Sequence, residues 1–184
     1  MRCWPCVCLF AALLPPAVCR PADDFKPEPG FRLLFNGKNL DGWREAAGKK
    51  QSLDGKTEAC DGRFKVVGGS LVYDPAVKGD RYIETTKEFG KDVHVKFDFK
   101  PGPKCNNDVF LRGTKFDIVP GNKENKGVKE GEWHTFEVVV TGDKVEHKID
   151  GKTVRTSKAG AKATPLKLRA EFGAMEVKNI RVKE

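Results

Sequence analysis

Three histidines, a run of three amide and carboxyl side chains, and two late cysteines are the residues whose types and spacing bear first on chemistry. His94, His134 and His147 are the only histidines. None stands in an H-x-H or H-E-x-x-H pattern, the spacings that bring two imidazoles onto one face for zinc, so no zinc centre is expected. His94 lies among Lys96, Asp98 and Lys100 on the polar side of an alternating run, where an imidazole can reach a ligand. His147 alternates with Val145 and Ile149, and His134 with Phe136 and Val138, a pattern that predicts buried, hydrogen-bonded rings. Asn106-Asn107-Asp108 carries enough oxygen for a calcium ion, but these are also turn-forming residues, and the turn is the preferred reading. No metal or other cofactor is expected.

The chemistry of the cysteines depends on compartment. Met1-Arg2 is followed by the apolar run Val7 to Leu14 and then by Pro15-Pro16-Ala17. This is the layout of a secretion signal, with cleavage after Cys19 or Ala22, giving a signal over 1–22 and one domain over 23–184. The run is too short to cross a bilayer as a helix. A lipid anchor on Cys19 is disfavoured, because Val18 stands where a small residue is usual. A secreted or periplasmic protein is therefore expected, with no membrane attachment once the signal is gone. In an oxidising compartment, Cys60 and Cys105 are expected to form one disulfide, the alternative being two separate buried thiols.

The chain has 34 Lys+Arg against 26 Asp+Glu, a formal net charge of +8. That surplus suits an acidic polymer, and a surface protein with a basic face is one reading it allows. Nucleic acid is not expected, because no basic run is interleaved with aromatics that would stack on bases.

The elements that must position these residues are short and extended. Val93, Val95, Phe97 and Phe99 alternate with His94, Lys96, Asp98 and Lys100, the clearest period of two in the chain. Further strands are predicted over 31–35, 82–86, 109–111, 116–119, 133–141, 166–172 and 175–182. Gly68-Gly69, Gly142-Asp143 and Asp150-Gly151 mark hairpins between alternating segments. Loops are predicted over 44–61, 101–107 and 121–131. No long amphipathic helix follows the signal. An all-β, two-sheet antiparallel sandwich or jelly roll is the expected fold. Trp43 and Trp133, flanked by strand residues, are predicted to anchor its core.

Leu34-Phe35-Asn36-Gly37-Lys38-Asn39-Leu40-Asp41-Gly42-Trp43 resembles the opening block of the 3-keto-disaccharide hydrolase domain family. Phe64 to Val72, Asn106 to Gly113, Gly131 to Thr135, Lys144 to Gly151, and Leu168 to Gly173 with Val177 to Ile180 are similar to later blocks, in the family's order. The resemblance implies a concanavalin A-like sandwich with a sugar-sized groove over one sheet. It also implies cleavage of glycosides already oxidised to a ketone at carbon 3. That ketone acidifies the proton on carbon 2, so the reaction needs a base, a group to stabilise the enolate and a proton for the leaving oxygen.

On this resemblance Asp117 falls where the family has a glutamate and is the candidate base, or a metal or sugar-hydroxyl ligand, the alternative being a solvent-facing partner for a lysine. Arg112 falls on the family's arginine and could hold an enolate through a bidentate contact, the alternative being an ion pair with Asp117 or Glu171. Glu171 is the second acid–base candidate, sharing a strand face with Arg169, the alternative being a structural salt bridge. His94, Lys148 and Arg169 are the candidate substrate contacts. Departures from the family pattern include Asp108 in place of a glycine, Val119 and Arg169 in place of glutamines, Lys148 in place of an aromatic, and a shortened loop over 120–130. They keep open a second reading, a non-catalytic carbohydrate-binding module on the same sandwich.

Overall fold

Alternation builds the layers: along His94–Pro101 every second side chain, Val95, Phe97 and Phe99, is buried. The computed structural model describes residues 25–184, so the expected signal and Cys19 lie outside the described residues. In chain order the strands are β1 (Arg32–Leu33), β2 (Trp43–Glu45), β3 (Glu58–Ala59), β4 (Phe64–Val67), β5 (Ser70–Tyr73), β6 (Arg81–Phe89) and β7 (His94–Pro101). They continue with β8 (Asn106–Leu111), β9 (Thr114–Ile118), β10 (His134–Thr141), β11 (Lys144–Ile149), β12 (Lys152–Lys158), β13 (Thr164–Phe172) and β14 (Met175–Lys183). A 3-10 turn, Lys123–Asn125, interrupts the loop after β9.

All pairings are antiparallel. One sheet runs β12-β11-β10-β7-β14-β5-β4-β3, with β1 added on β14; the other runs β2-β6-β13-β8-β9. The layers meet through rings: Phe116 of β9 lies 4.9 Å from Phe136 of β10, which lies 5.2 Å from Phe97. Trp43 is fully buried, and its indole N–H donates to the Leu34 carbonyl at 2.7 Å. This is the two-sheet sandwich expected from the sequence.

Trp133 does not join the core; it is 40% exposed just before β10. Asn106-Asn107-Asp108 is not a turn either. All three residues are paired in β8, with Asn107 facing the core and Asp108 facing out. The expected loop over 44–61 holds β3 and the end of β2.

The expected disulfide is not formed; Cys60 and Cys105 are free thiols. The Cys60 sulfur lies 3.7 Å from the Tyr82 carbonyl, and the Cys105 sulfur 3.5 Å from the Ile118 carbonyl. Each thiol is partnered by a different part of the chain. Burial pushes the Cys60 thiol up to about 12 and the Cys105 thiol up to about 11, which leaves both protonated and unreactive.

Candidate functional site

The outward side chains of the five-stranded sheet form a polar grid fixed by strand register. One row crosses it as Tyr82, Arg169, Asp108 and Asp117; a second runs Arg44, Glu84, Lys167, Phe110 and Lys115. Inward neighbours such as Ile83, Leu168, Val109 and Phe116 are buried, and that burial fixes which face each polar residue takes.

Asp108 and Asp117 are directly opposed on β8 and β9. The Asp108 side chain has no exposed surface, whereas Asp117 is 35% exposed. The Lys115 Nζ lies 2.5 Å from Asp117 Oδ1 and 3.6 Å from Asp108 Oδ1. Burial, and then a hydrogen bond with Asp117, push the Asp108 carboxyl up to about 6. Burial acts the same way on Asp117, but hydrogen bonds from Lys115 and Asp108 outweigh it and hold that carboxyl below its ordinary value. Two carboxylates this close behave as one titrating unit, with its upper step near 6 and its exposed end at Asp117.

Arg169 closes the other side of Asp108. Its Nη1 lies 2.7 Å from Asp108 Oδ2 and 3.0 Å from Glu171 Oε2, and its Nη2 lies 2.6 Å from Asp80 Oδ2. Glu171 sits at an irregularity where β13 carries one extra residue against β8. Its backbone N–H, displaced from the ladder, donates to Asn107 Oδ1 at 2.9 Å. Beside this cluster, Tyr82 and Phe110 lie 6.5 Å apart with the Lys167 ammonium over both rings, forming a sugar-sized apolar floor.

Of Arg112, Asp117 and Glu171, expected to meet in one groove, the structure places Asp117 and Glu171 on one face, with Arg169, expected to share the face of Glu171, paired to Glu171 and to Asp108. Arg112 is corrected. With φ of 49° at Arg112 and 74° at Gly113, the two residues form the tight turn joining β8 to β9, which carries Arg112 out of the strand. Its guanidinium is buried, donating to the Gly90 and Gly160 carbonyls, and it pairs with neither Asp117 nor Glu171. His94 and Lys148 are corrected too. Both lie on the outer face of the nine-stranded sheet, where His94 Nε2 is 2.7 Å from Glu137 Oε2 and Lys148 is paired opposite Glu137. Their polar faces do turn outward, but from the other layer. Sequence reasoning missed Asp108, Lys115, Tyr82 and Phe110. Alternation of Asp108 and Phe110 with buried Asn107, Val109 and Leu111 was the available signal.

His147 is buried as expected, stacked 5.1 Å from Phe116 with Nε2 3.3 Å from Thr114 Oγ1. Burial, then the charge of Arg155, lower its pKa from 6.5 to about 4. The unfolded imidazole therefore takes a proton first as pH falls. The stability that the neutral ring allows is complete above pH 6.5 and drains away down to about 4, by up to about 3 kcal/mol. Urea unfolding of wild type and His147→Gln across that range should show the wild type losing more. The difference isolates the imidazole, because the raised Asp108 carboxyl, which pulls the other way, is common to both proteins and cancels.

Residues 30–121 and 116–183 match the model of the 3-keto-alpha-glucoside-1,2-lyase-like domain. No curated protein matches the sequence. In fold the chain is similar to a glycosyl hydrolase candidate from Parabacteroides distasonis, with TM-score 0.64 and 17% identity over 84% of this chain and 93% of that one. It is also similar to the Crh5 transglycosylase in complex with NAG, with TM-score 0.57 and 16% identity over 84% of each chain. A carbohydrate-binding module from Bacillus subtilis has TM-score 0.50 and 11% identity over 78% of this chain and 96% of that one. At these identities the likeness to solved structures is one of fold alone, and the family match carries the assignment. The two-sheet sandwich and the match across nearly all the described chain agree: the protein belongs to the carbohydrate-active family of 3-keto-alpha-glucoside-1,2-lyase-like domains.

Proposed function

We propose that the outer face of the five-stranded sheet cleaves a 3-keto-glycoside by elimination across carbons 1 and 2. The observation that carries this reading is the Asp108–Asp117 pair, with one buried and one exposed carboxyl bridged by Lys115. Above its upper step near pH 6 the pair is doubly ionised, and Asp117, the exposed end, withdraws the proton from carbon 2. The C–H electrons move onto the carbon-3 oxygen as an enolate, which the Lys115 ammonium stabilises. As the ketone re-forms, the bond from carbon 1 to the glycosidic oxygen breaks and the electron pair leaves with that oxygen. The proton held between the two aspartates returns to it. Arg169 and Glu171 hold the sugar's hydroxyls, with the ring over Tyr82 and Phe110.

A p-nitrophenyl 3-keto-α-glucoside tests the reading. Release of p-nitrophenolate is expected, with none from the unoxidised glucoside and a slower rate with deuterium at carbon 2. Equal cleavage of both glucosides would make the protein an ordinary glycosidase. Sugar retained without turnover would favour the binding module.

Export belongs to the same proposal, supported by the leader pattern over 1–22. The exported chain is expected to begin at Arg20 or Asp23, by N-terminal sequencing; an intact Met1 on the cell-associated protein would overturn it.

A further inference from the structure

The nine-stranded sheet has a groove of about 880 Å³ on its outer face, away from the aspartate pair. Trp133 forms one wall. Lys178 Nζ lies 4.3 Å and Lys100 Nζ 5.1 Å from the centre of its ring. Lys38 and Glu176 line the same space. Lys100 is paired with Glu176 at 2.5 Å, whereas Lys38 and Lys178 make no ion pair among the described residues.

These features call for a ligand that is both ring-shaped and negatively charged. An exposed indole offers a flat apolar surface of about a sugar ring's size, and its face attracts cations, so the lysines are held at the ring with their charge available. The unpaired ammonium groups favour an anion. The volume suits a short oligosaccharide, since small-ligand sites run to about 300–1,000 Å³. A nucleic-acid strand would need successive exposed aromatics for its bases, and Trp133 is the exposed aromatic here.

We infer that this groove is a second carbohydrate site that binds an acidic glycan, a chain of uronate sugars, whose carboxylate bridges Lys178 and Lys38 and draws the Lys178 ammonium off the indole, so that a sugar ring takes its place on Trp133. This site is separate from the aspartate pair on the opposite sheet. An enzyme with such a site would be tethered to acidic polysaccharide while its other face works on released or neighbouring sugars.

Titration of the mature protein with tetragalacturonate, read by tryptophan emission and calorimetry, tests the inference. Trp43 is fully buried, so a change on binding reports Trp133. Saturable binding that weakens with salt is expected, at least about tenfold tighter than binding of uncharged maltotetraose. Lys178→Glu and Lys38→Glu should each weaken it by about tenfold, and Trp133→Ala should weaken it by at least as much. All three are surface changes with little bearing on folding. Asp108→Asn should leave it unchanged, which separates this site from the proposed catalytic one. No saturable binding, equal binding of maltotetraose, or binding indifferent to Lys178 would overturn the inference. Tighter binding of an oligothymidylate would reassign the groove to nucleic acid.

Discussion

Asp117→Asn is expected to lower turnover of a 3-keto-glycoside at least about a hundredfold while leaving the fold intact. The amide keeps the shape of the carboxylate and its place beside Lys115, but it cannot accept the carbon-2 proton. The carboxyl is partly exposed and faces away from the core, so its loss costs little packing. The wild-type rate should rise with pH through about 6, because the pair is a base only after its shared proton has left. Asp108→Asn removes the partner that raises this step. It should lower the rate and move the acid limb to lower pH, since Asp117 alone is held below its ordinary value by Lys115. A merely structural Asp108 would change the rate without moving the limb. A flat profile between pH values of about 5 and 7 in the wild type would remove the pair from the mechanism.

Arg112→Ala is expected to act in the opposite way, on stability and not on chemistry. The guanidinium is almost fully buried and ties the β8–β9 turn to two loops, donating to the Gly90 carbonyl and, at 2.7 Å, to the Gly160 carbonyl. Hydrogen bonds from a charged donor contribute about 1.5–3 kcal/mol each, and both carbonyls would lose their partner. A loss of about 4 kcal/mol is the expected result, measured by urea unfolding. Under conditions where the variant remains folded, its turnover should match the wild type. A rate drop beyond about tenfold in folded protein would return Arg112 to the reaction.

The layers were legible in the sequence because alternation is written residue by residue. Val95, Phe97 and Phe99 face the core as their spacing requires, and the Gly68-Gly69 and Asp150-Gly151 turns join the strands they were expected to join. Which sheet owned a polar face was not legible. His94 and Asp117 both stand on the wet side of a strand, yet on opposite sides of the molecule, because a period of two says inside or outside and not which outside. Arg112 misled for a related reason. Its neighbours Phe110 and Leu111 read as strand, and only pairing of Leu111 with Thr114 shows that the chain has already turned. Asp108 was hidden by its residue type, since aspartate beside two asparagines is the commonest look of a loop. Trp133 was hidden by its flanks, which are strand residues on one side only.

Arg155 has one further consequence for the molecule in a crowded compartment. It reaches from β12 across the side of the sandwich, donates to the Lys115 carbonyl on β9 and lies 4.7 Å from the centre of the Phe116 ring. Strand β9 is the last in its sheet, and a bare border of that kind invites another chain to zip onto it. With this acceptor already taken and a cation planted on the rim, an incoming backbone meets a plug where it would need a partner. The protein is thereby guarded against stacking into ribbons along that side.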